Sequence, residues 1–355
     1  MKKISFIVLL SALLFNSCVE KIPVGFLSDT GIMMREDTMS VVKGVYTISS
    51  IPMIDGSTKP LSFEVVRVKN LETGQIAPEF SQQYNVKLWT SPYNPDTDVT
   101  MELVNQKLRN EMVYPLLINP VSGQLAFNTA SLQLPGELYG VDVKVSNSAG
   151  SRIIENFGIV KLTNRPWQVA SDFALYFHGT AGTTINHAVS VENPVRDMNA
   201  VRNNTHPSFR IDKVAESDIV EVKLSFYDTN GAAFHGEAIT FWPDANVGYL
   251  NNWFDNSVET TVEADGVTFR FPTVPFPAFG RLYNDNQDRV ALSYYTLHPD
   301  HYDLTPAAIN IRNAWAAENP NTILTATNQR VRFTWIINEP GIWHVKVHFV
   351  NAIKK

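Results

Sequence analysis

Apolar residues recur at every second position over much of this chain, and that spacing belongs to β-strands rather than helices. Tyr139, Val141, Val143 and Val145 form one such set, with Asp142, Lys144 and Ser146 between them. The apolar set is assigned to a core and the polar set to a wet face. Asn147-Ser148-Ala149-Gly150 supplies a turn, and Ile153 to Leu162 returns, which predicts a hairpin. Val220, Val222, Leu224 and Phe226 repeat the pattern, and Asp228-Thr229-Asn230-Gly231 predicts a second hairpin whose returning strand reaches Phe241-Trp242. A third is expected at the end of the chain. There Val331, Phe333, Trp335 and Ile337 would pair across Asn338-Glu339-Pro340-Gly341 with Trp343, Val345, Val347 and Phe349. Leu61, Phe63 and Val65 alternate, and then Val66 and Val68 do, so a bulge is predicted where the parity switches. Thr305-Pro306 followed by Ala307 to Glu318 has the cap and first residue of a short helix, closed by Asn319-Pro320. Val99 to Met112 fits either a short helix or a strand with a loop.

The first residues add an address. Lys2 and Lys3 precede an apolar run from Ile4 to Phe15, shorter than the roughly 20 residues of a spanning helix. This is the build of an export signal. The run ends in Phe15-Asn16-Ser17-Cys18, which resembles a bacterial lipobox with Phe15 where leucine is usual. Cys18 is the only cysteine, so an exported chain has no disulfide partner for it, and acylation gives the thiol a role. Residues 1–17 are then the signal, Cys18 the lipidation site, and residues 18–40 a tether with some docked apolar side chains. Loss of residues 1–17 moves the net charge from −6 to −8. An acidic chain has no basic face for nucleic acid and no electrostatic pull toward anionic lipid.

Pro135-Gly136-Glu137-Leu138-Tyr139, followed by the Val143 to Gly150 strand and turn, resembles the closing strands of bacterial immunoglobulin-like and cadherin-like modules. The fold expected is all-β. An immunoglobulin/cadherin-like β-sandwich over residues 41–164 precedes a larger, jelly-roll-like β-sandwich over residues 167–355 with one short helix. The lipobox, Gly25-Phe26-Leu27-Ser28-Asp29, Asp55-Gly56-Ser57-Thr58-Lys59-Pro60-Leu61 and Val66-Arg67-Val68-Lys69-Asn70 together resemble a Bacteroidetes family of outer-membrane lipoproteins. Members are often encoded beside SusC/SusD-type nutrient importers. The resemblance implies an outer-membrane lipoprotein that captures a glycan or similar nutrient, with display at the cell surface. It brings no catalytic residues.

Several clusters carry possible chemistry. His344 and His348 share a helical metal spacing, but a strand would hold them roughly 13 Å apart, too far for one ion. His298-Pro299-Asp300-His301-Tyr302-Asp303 packs four possible ligands, or else is a turn leading into the helix at Thr305. Asn284-Asp285-Asn286-Gln287-Asp288, and Tyr93 to Asp98, alternate oxygen ligands as calcium loops do, yet lack the glycine and distal glutamate of an EF-hand. No cofactor is expected, with calcium the alternative.

The stretch from Phe241 to Asp255 sets large aromatics among Asn, Asp, Gly and Pro. Its candidate ligand-binding residues are Trp242, Tyr249, Asn251, Asn252, Trp253 and Asp255. Flat rings cover the apolar face of a sugar and amides take its hydroxyls; the same rings could instead plug the end of the sandwich. There is no nucleophile elbow, zinc-protease helix or phosphate-binding loop. The expected function is non-catalytic glycan capture beside a SusC/SusD-type importer. The alternatives are a structural or partner-binding accessory lipoprotein, and a glycoside hydrolase whose paired carboxylates need only distance in space.

Overall fold

The alternating segments do become strands. The structure, a computed structural model, describes residues 25–94, 96–181, 185–189, 198–241, 254, 257–272, 274, 282–283, 288–289, 292–320 and 324–355. Contacts divide these into two units. The first holds residues 25–41, 46–83 and 114–163, and the second holds residues 42–45, 84–113 and those from Asn164 onward.

In chain order the early elements are β1 (Met39–Val42), β2 (Thr47–Ile48), β3 (Ser62–Asn70), β4 (Tyr84–Trp89), helix α1 (Met101–Gln106), β5 (Leu108–Val113), β6 (Leu116–Ile118), β7 (Leu125–Phe127), β8 (Leu138–Asn147) and β9 (Gly150–Thr163). The first unit is a sandwich of a four-stranded sheet, β1-β9-β8-β3, and a three-stranded sheet, β2-β7-β6. Phe63, Leu125, Phe127, Tyr139, Val141, Val143, Val145 and Phe157 are buried in it. Residues 25–40 are docked on this unit: Ile32 and Met34 are buried, and the Met34 amide donates to the Phe157 carbonyl at 2.9 Å. The pair β4 and β5 belongs to the second unit. Thr100 caps α1 by accepting from the Leu103 amide, so the ambiguous stretch is a short helix followed by a strand.

The predicted hairpin is β8 and β9, which run antiparallel to the pair Asn147↔Gly150. The predicted bulge is also present, as the β3–β8 register shifts between Val65 and Arg67. One assignment needs correcting. Asp142 was placed on a wet face, but its side chain is fully buried. A second register shift, in β8–β9 between Val141 and Val143, together with Asn156 at φ +49°, folds polar partners over it.

The later elements are β10 (Trp167–Ala181), β11 (Ile185–Val189), α2 (Met198–Arg202), β12 (Phe209–Ala215), β13 (Val220–Tyr227), β14 (Ile239–Phe241), β15 (Glu259–Glu263), β16 (Gly266–Phe271), β17 (Leu282–Tyr283), β18 (Asp288–Arg289), β19 (Leu292–Leu297), β20 (Tyr302–Leu304), α3 (Pro306–Glu318), β21 (Leu324–Ile337), β22 (Gly341–His348) and β23 (Ala352–Lys354). Two five-stranded sheets, β11-β10-β21-β19-β14 and β12-β22-β13-β16-β15, enclose one core. Thr305 accepts from the Ala308 amide at 3.2 Å and Pro306 opens α3, as the sequence predicts. Among the described residues α1 and α2 join it, so the expected single helix is one of three.

One predicted hairpin is absent and another is cut short. β21 lies between β10 and β19 in one sheet, and β22 lies between β12 and β13 in the other. Asn338 at the crossing donates from its amide to the Pro166 carbonyl at 2.8 Å and from its side chain to the Arg165 carbonyl at 2.7 Å. Val331 and Ile337 on one strand and Trp343, Val345, Val347 and Phe349 on the other therefore share the core without their strands pairing. At the other site the Asp228 turn forms, its carboxylate accepting from the Asn230 and Ala232 amides at 2.9 and 2.8 Å. Tyr227 bridges antiparallel to Ala233 and the Phe234 amide donates to the Phe226 carbonyl at 2.8 Å, but from Val220 to Leu224 β13 is flanked by β16 and β22, so the chain leaves it and β14 pairs with β19.

Candidate ligand sites

The aromatic segment is held at both ends on the second unit. At its start, Phe241 pairs with Tyr295 through the backbone of β14 and β19. At its end, the ring of Phe254 stands edge-on to Phe269 at 5.0 Å and tilted to Tyr295 at 6.4 Å. Phe254 packs against the core, so for this ring the plug role holds. Trp242, Tyr249, Asn251, Asn252, Trp253 and Asp255 lie outside the described residues, as does Cys18.

A groove that the sequence did not announce opens on the first unit. Its volume is about 420 Å³, and Val65, Val66, Arg67, Phe80, Tyr114 and Leu117 are among the residues that line it. A cavity of this size suits a small ligand. One wall is β3, the last strand of its sheet, and the other is β6, the last strand of the facing sheet. Arg67 is fixed by the bulge: its Nε meets the Asp142 carboxylate at 2.5 Å and a terminal nitrogen meets Glu155 at 2.9 Å. Lys69 reaches the same Asp142 oxygen at 2.9 Å, and the Asn156 amide donates to the other at 2.9 Å. Burial works against the Asp142 charge, but the Asn156 amide, Lys69 and Arg67 outweigh it and hold the carboxyl below its usual range. The parity switch at Val65–Val66 was the only sign of this site in the sequence.

The histidine and carboxylate clusters have structural duties. His298 accepts from the Asp300 amide at 3.3 Å, and Asp303 faces Lys355 at 3.7 Å. Tyr302 is buried, accepts from the Gln329 amide at 3.1 Å, and has its phenol pushed up to about 12, first by burial. Asp98 accepts from the Asn94 amide and from Lys107, both at 2.7 Å. Asn284 to Gln287 lie outside the described residues, and Asp288 is in β18. Among the described residues, no group of three or more His, Cys, Asp or Glu is placed to hold a metal ion.

His344 and His348 sit on a strand and act separately. His348 stacks on Tyr227 at 4.9 Å. His344 Nε2 lies 2.9 Å from the hydroxyl of buried Ser225. Burial, then Lys346 and Lys223, lowers its pKa to about 4. A histidine depressed in the folded state binds protons more readily when unfolded, so its contribution is present at neutral pH and lost between pH 6.5 and about 4. His344→Gln is therefore expected to flatten the fall in stability over that window by about 1–2 kcal/mol, allowing for partial exposure. Denaturant titrations at pH 7 and pH 4.5 would show it.

No protein family matches the chain, and no curated protein does. Among solved structures it is similar to a SusE-like surface-located polysaccharide-binding protein from the Bacteroides thetaiotaomicron heparin utilisation locus. The identity is 8% and the TM-score 0.23, over 89% of this chain and 53% of that one. The chain thus spans about half the length of that protein. It is similar to the N-terminal four Ig domains of Dscam1 isoform 4.44 at 8% identity and TM-score 0.19, over 90% of this chain and 75% of that one. Cadherin domains 3–6 of protocadherin gamma B2 match at 9% identity and TM-score 0.19, over 90% and 73%. No residue is carried over from any of them. No helix among the described residues is long and apolar enough to cross a membrane.

Proposed function

We propose that this chain is an exported lipoprotein, held at the outer membrane by acyl chains on Cys18, that captures a glycan without cleaving it, beside a SusC/SusD-type importer. The observation that supports capture is the setting of the aromatic segment. The residues that flank it, Phe241 and Phe254, both meet Tyr295 on the second unit. That stretch concentrates Trp242, Tyr249 and Trp253 with Asn251, Asn252 and, just beyond, Asp255. Rings for the sugar's apolar face and amides for its hydroxyls are the two things a glycan site needs. No cofactor enters this reading.

Affinity electrophoresis against a panel of polysaccharides tests it. At least one polysaccharide should retard the protein, Trp253→Ala should abolish the retardation, and no reducing sugar should be released. Failure of every polysaccharide to retard the chain would end the glycan reading. A second location is favoured by the groove on the first unit, which offers Tyr114, Ser81 and Arg67 beside apolar walls. Retardation that survives Trp253→Ala but not Tyr114→Ala would move the site there. Labelling with palmitate tests the anchor.

A further inference from the structure

The first unit carries an apolar face that its own core does not use. Along the segment from Tyr46 to Met53, Ser49 and Pro52 point inward and are buried, while Tyr46, Ile48, Ile51 and Met53 are each more than 40% exposed. The face extends to both sides through strand pairing. Ile48 and Leu117 are both partners of Ala126, on β2, β6 and β7, which places Ile48, Ala126 and Leu117 in one cross-strand row. At the other end Met53 bridges to Met33. Leu117 and Met33 are also more than 40% exposed. An exposed apolar face of this kind marks a partner.

We infer that this face rests on the lipid bilayer that anchors the chain. The inference relies on the acylation proposed above for what brings lipid near. Six residues separate Cys18 from Gly25, where the described chain begins, and the seven steps between those two span at most about 25 Å. Gly25 lies against the Ser148–Ala149 turn, and from there the chain passes Asp55 to Met33 and its bridge to Met53, so the tether joins the unit eight residues before the margin of this face. Arg35 and Glu36, of opposite charge, lie at its margin. Arg35 donates to the Ile51 carbonyl at 3.0 Å, and Glu36 accepts from Ser50 at 2.8 Å. Docking is therefore apolar and needs no anionic lipid, in keeping with an acidic chain. Tyr46, with an apolar ring and a polar tip, is the side chain suited to the headgroup level.

The test couples the chain beginning at Cys18, through that thiol, to a maleimide lipid in phosphatidylcholine vesicles. Amide hydrogen exchange is then compared with the same protein capped by a soluble maleimide. Nine-tenths docking would slow exchange about tenfold at Tyr46–Met53 and Leu116–Ile118. β15 should not change. The combined substitutions Ile48→Ser, Ile51→Ser and Leu117→Ser should remove the slowing, with unaltered exchange at Val141–Val145 showing that the unit is folded. Equal exchange in tethered and capped protein would overturn the inference. So would slowing that survives the three substitutions, or slowing in concentrated capped protein without lipid, which would mean that a second copy covers the face. The chemical tether does not depend on acylation in the cell, so failure of palmitate labelling and failure of docking are separate results.

Discussion

Asp142→Asn is expected to destabilise the first unit by about 3 kcal/mol at pH 7, read as a lower denaturant midpoint with unchanged slope. The substitution keeps the shape and an oxygen for the Asn156 amide, but leaves Arg67 and Lys69 facing a neutral group. Removing one partner of a buried ion pair costs roughly 3–5 kcal/mol. The low end applies because the Arg67 and Lys69 side chains are 36% and 25% exposed, and water and Glu155 take up part of their charge. The effect has a pH signature. A carboxyl held below its usual range contributes stability above about pH 4 and loses it as pH falls through the folded value. Wild type and variant should therefore converge only in strong acid. Adding Arg67→Met and Lys69→Met to Asp142→Asn should recover most of the loss, because apolar groups then fill the site without unpaired charge. An unchanged midpoint in the single variant would show that the bulge holds without the carboxylate.

Asp142 also marks the limit of what the residue pattern reveals. Alternation placed it opposite Val141 and Val143 correctly, as a residue of the other face. It could not show that this face is locally closed, because the partners come from β3 and from the Asn156 kink in β9. The legible parts were those set by neighbours in sequence: the β8–β9 hairpin, the bulge in β3, and α3 with its Thr305 cap. Strand partnership was less legible. Val331 to Ile337 and Trp343 to Phe349 present one apolar set each, and that pattern suits two strands side by side as well as two facing each other across a core. The site shows the same divide. Phe254 is fixed by rings at positions 269 and 295, and the groove by strands far apart in sequence, so neither could be read from local composition.

Trp343→Ala should cost the second unit about 3–5 kcal/mol, the range for truncating a buried large aromatic. Trp343 is 1% exposed, lies between Lys213 on β12 and Val222 on β13, and has the Lys213 ammonium 5.7 Å from its ring centre. Trp343→Phe should cost much less, about 1 kcal/mol. It gives up ring area, but it also removes an indole N–H that is buried without a hydrogen-bond partner in the protein. The contrast between the two variants, measured by denaturant unfolding, separates packing from hydrogen bonding. The same side chain distinguishes the observed crossing from a terminal hairpin. On β22 paired in parallel with β13, Trp343 lies beside Val222, so a double-mutant cycle of Trp343→Ala with Val222→Ala should give a coupling of about 0.5–3 kcal/mol. In a hairpin with β21 these two residues would have no reason to be neighbours, and their effects would add.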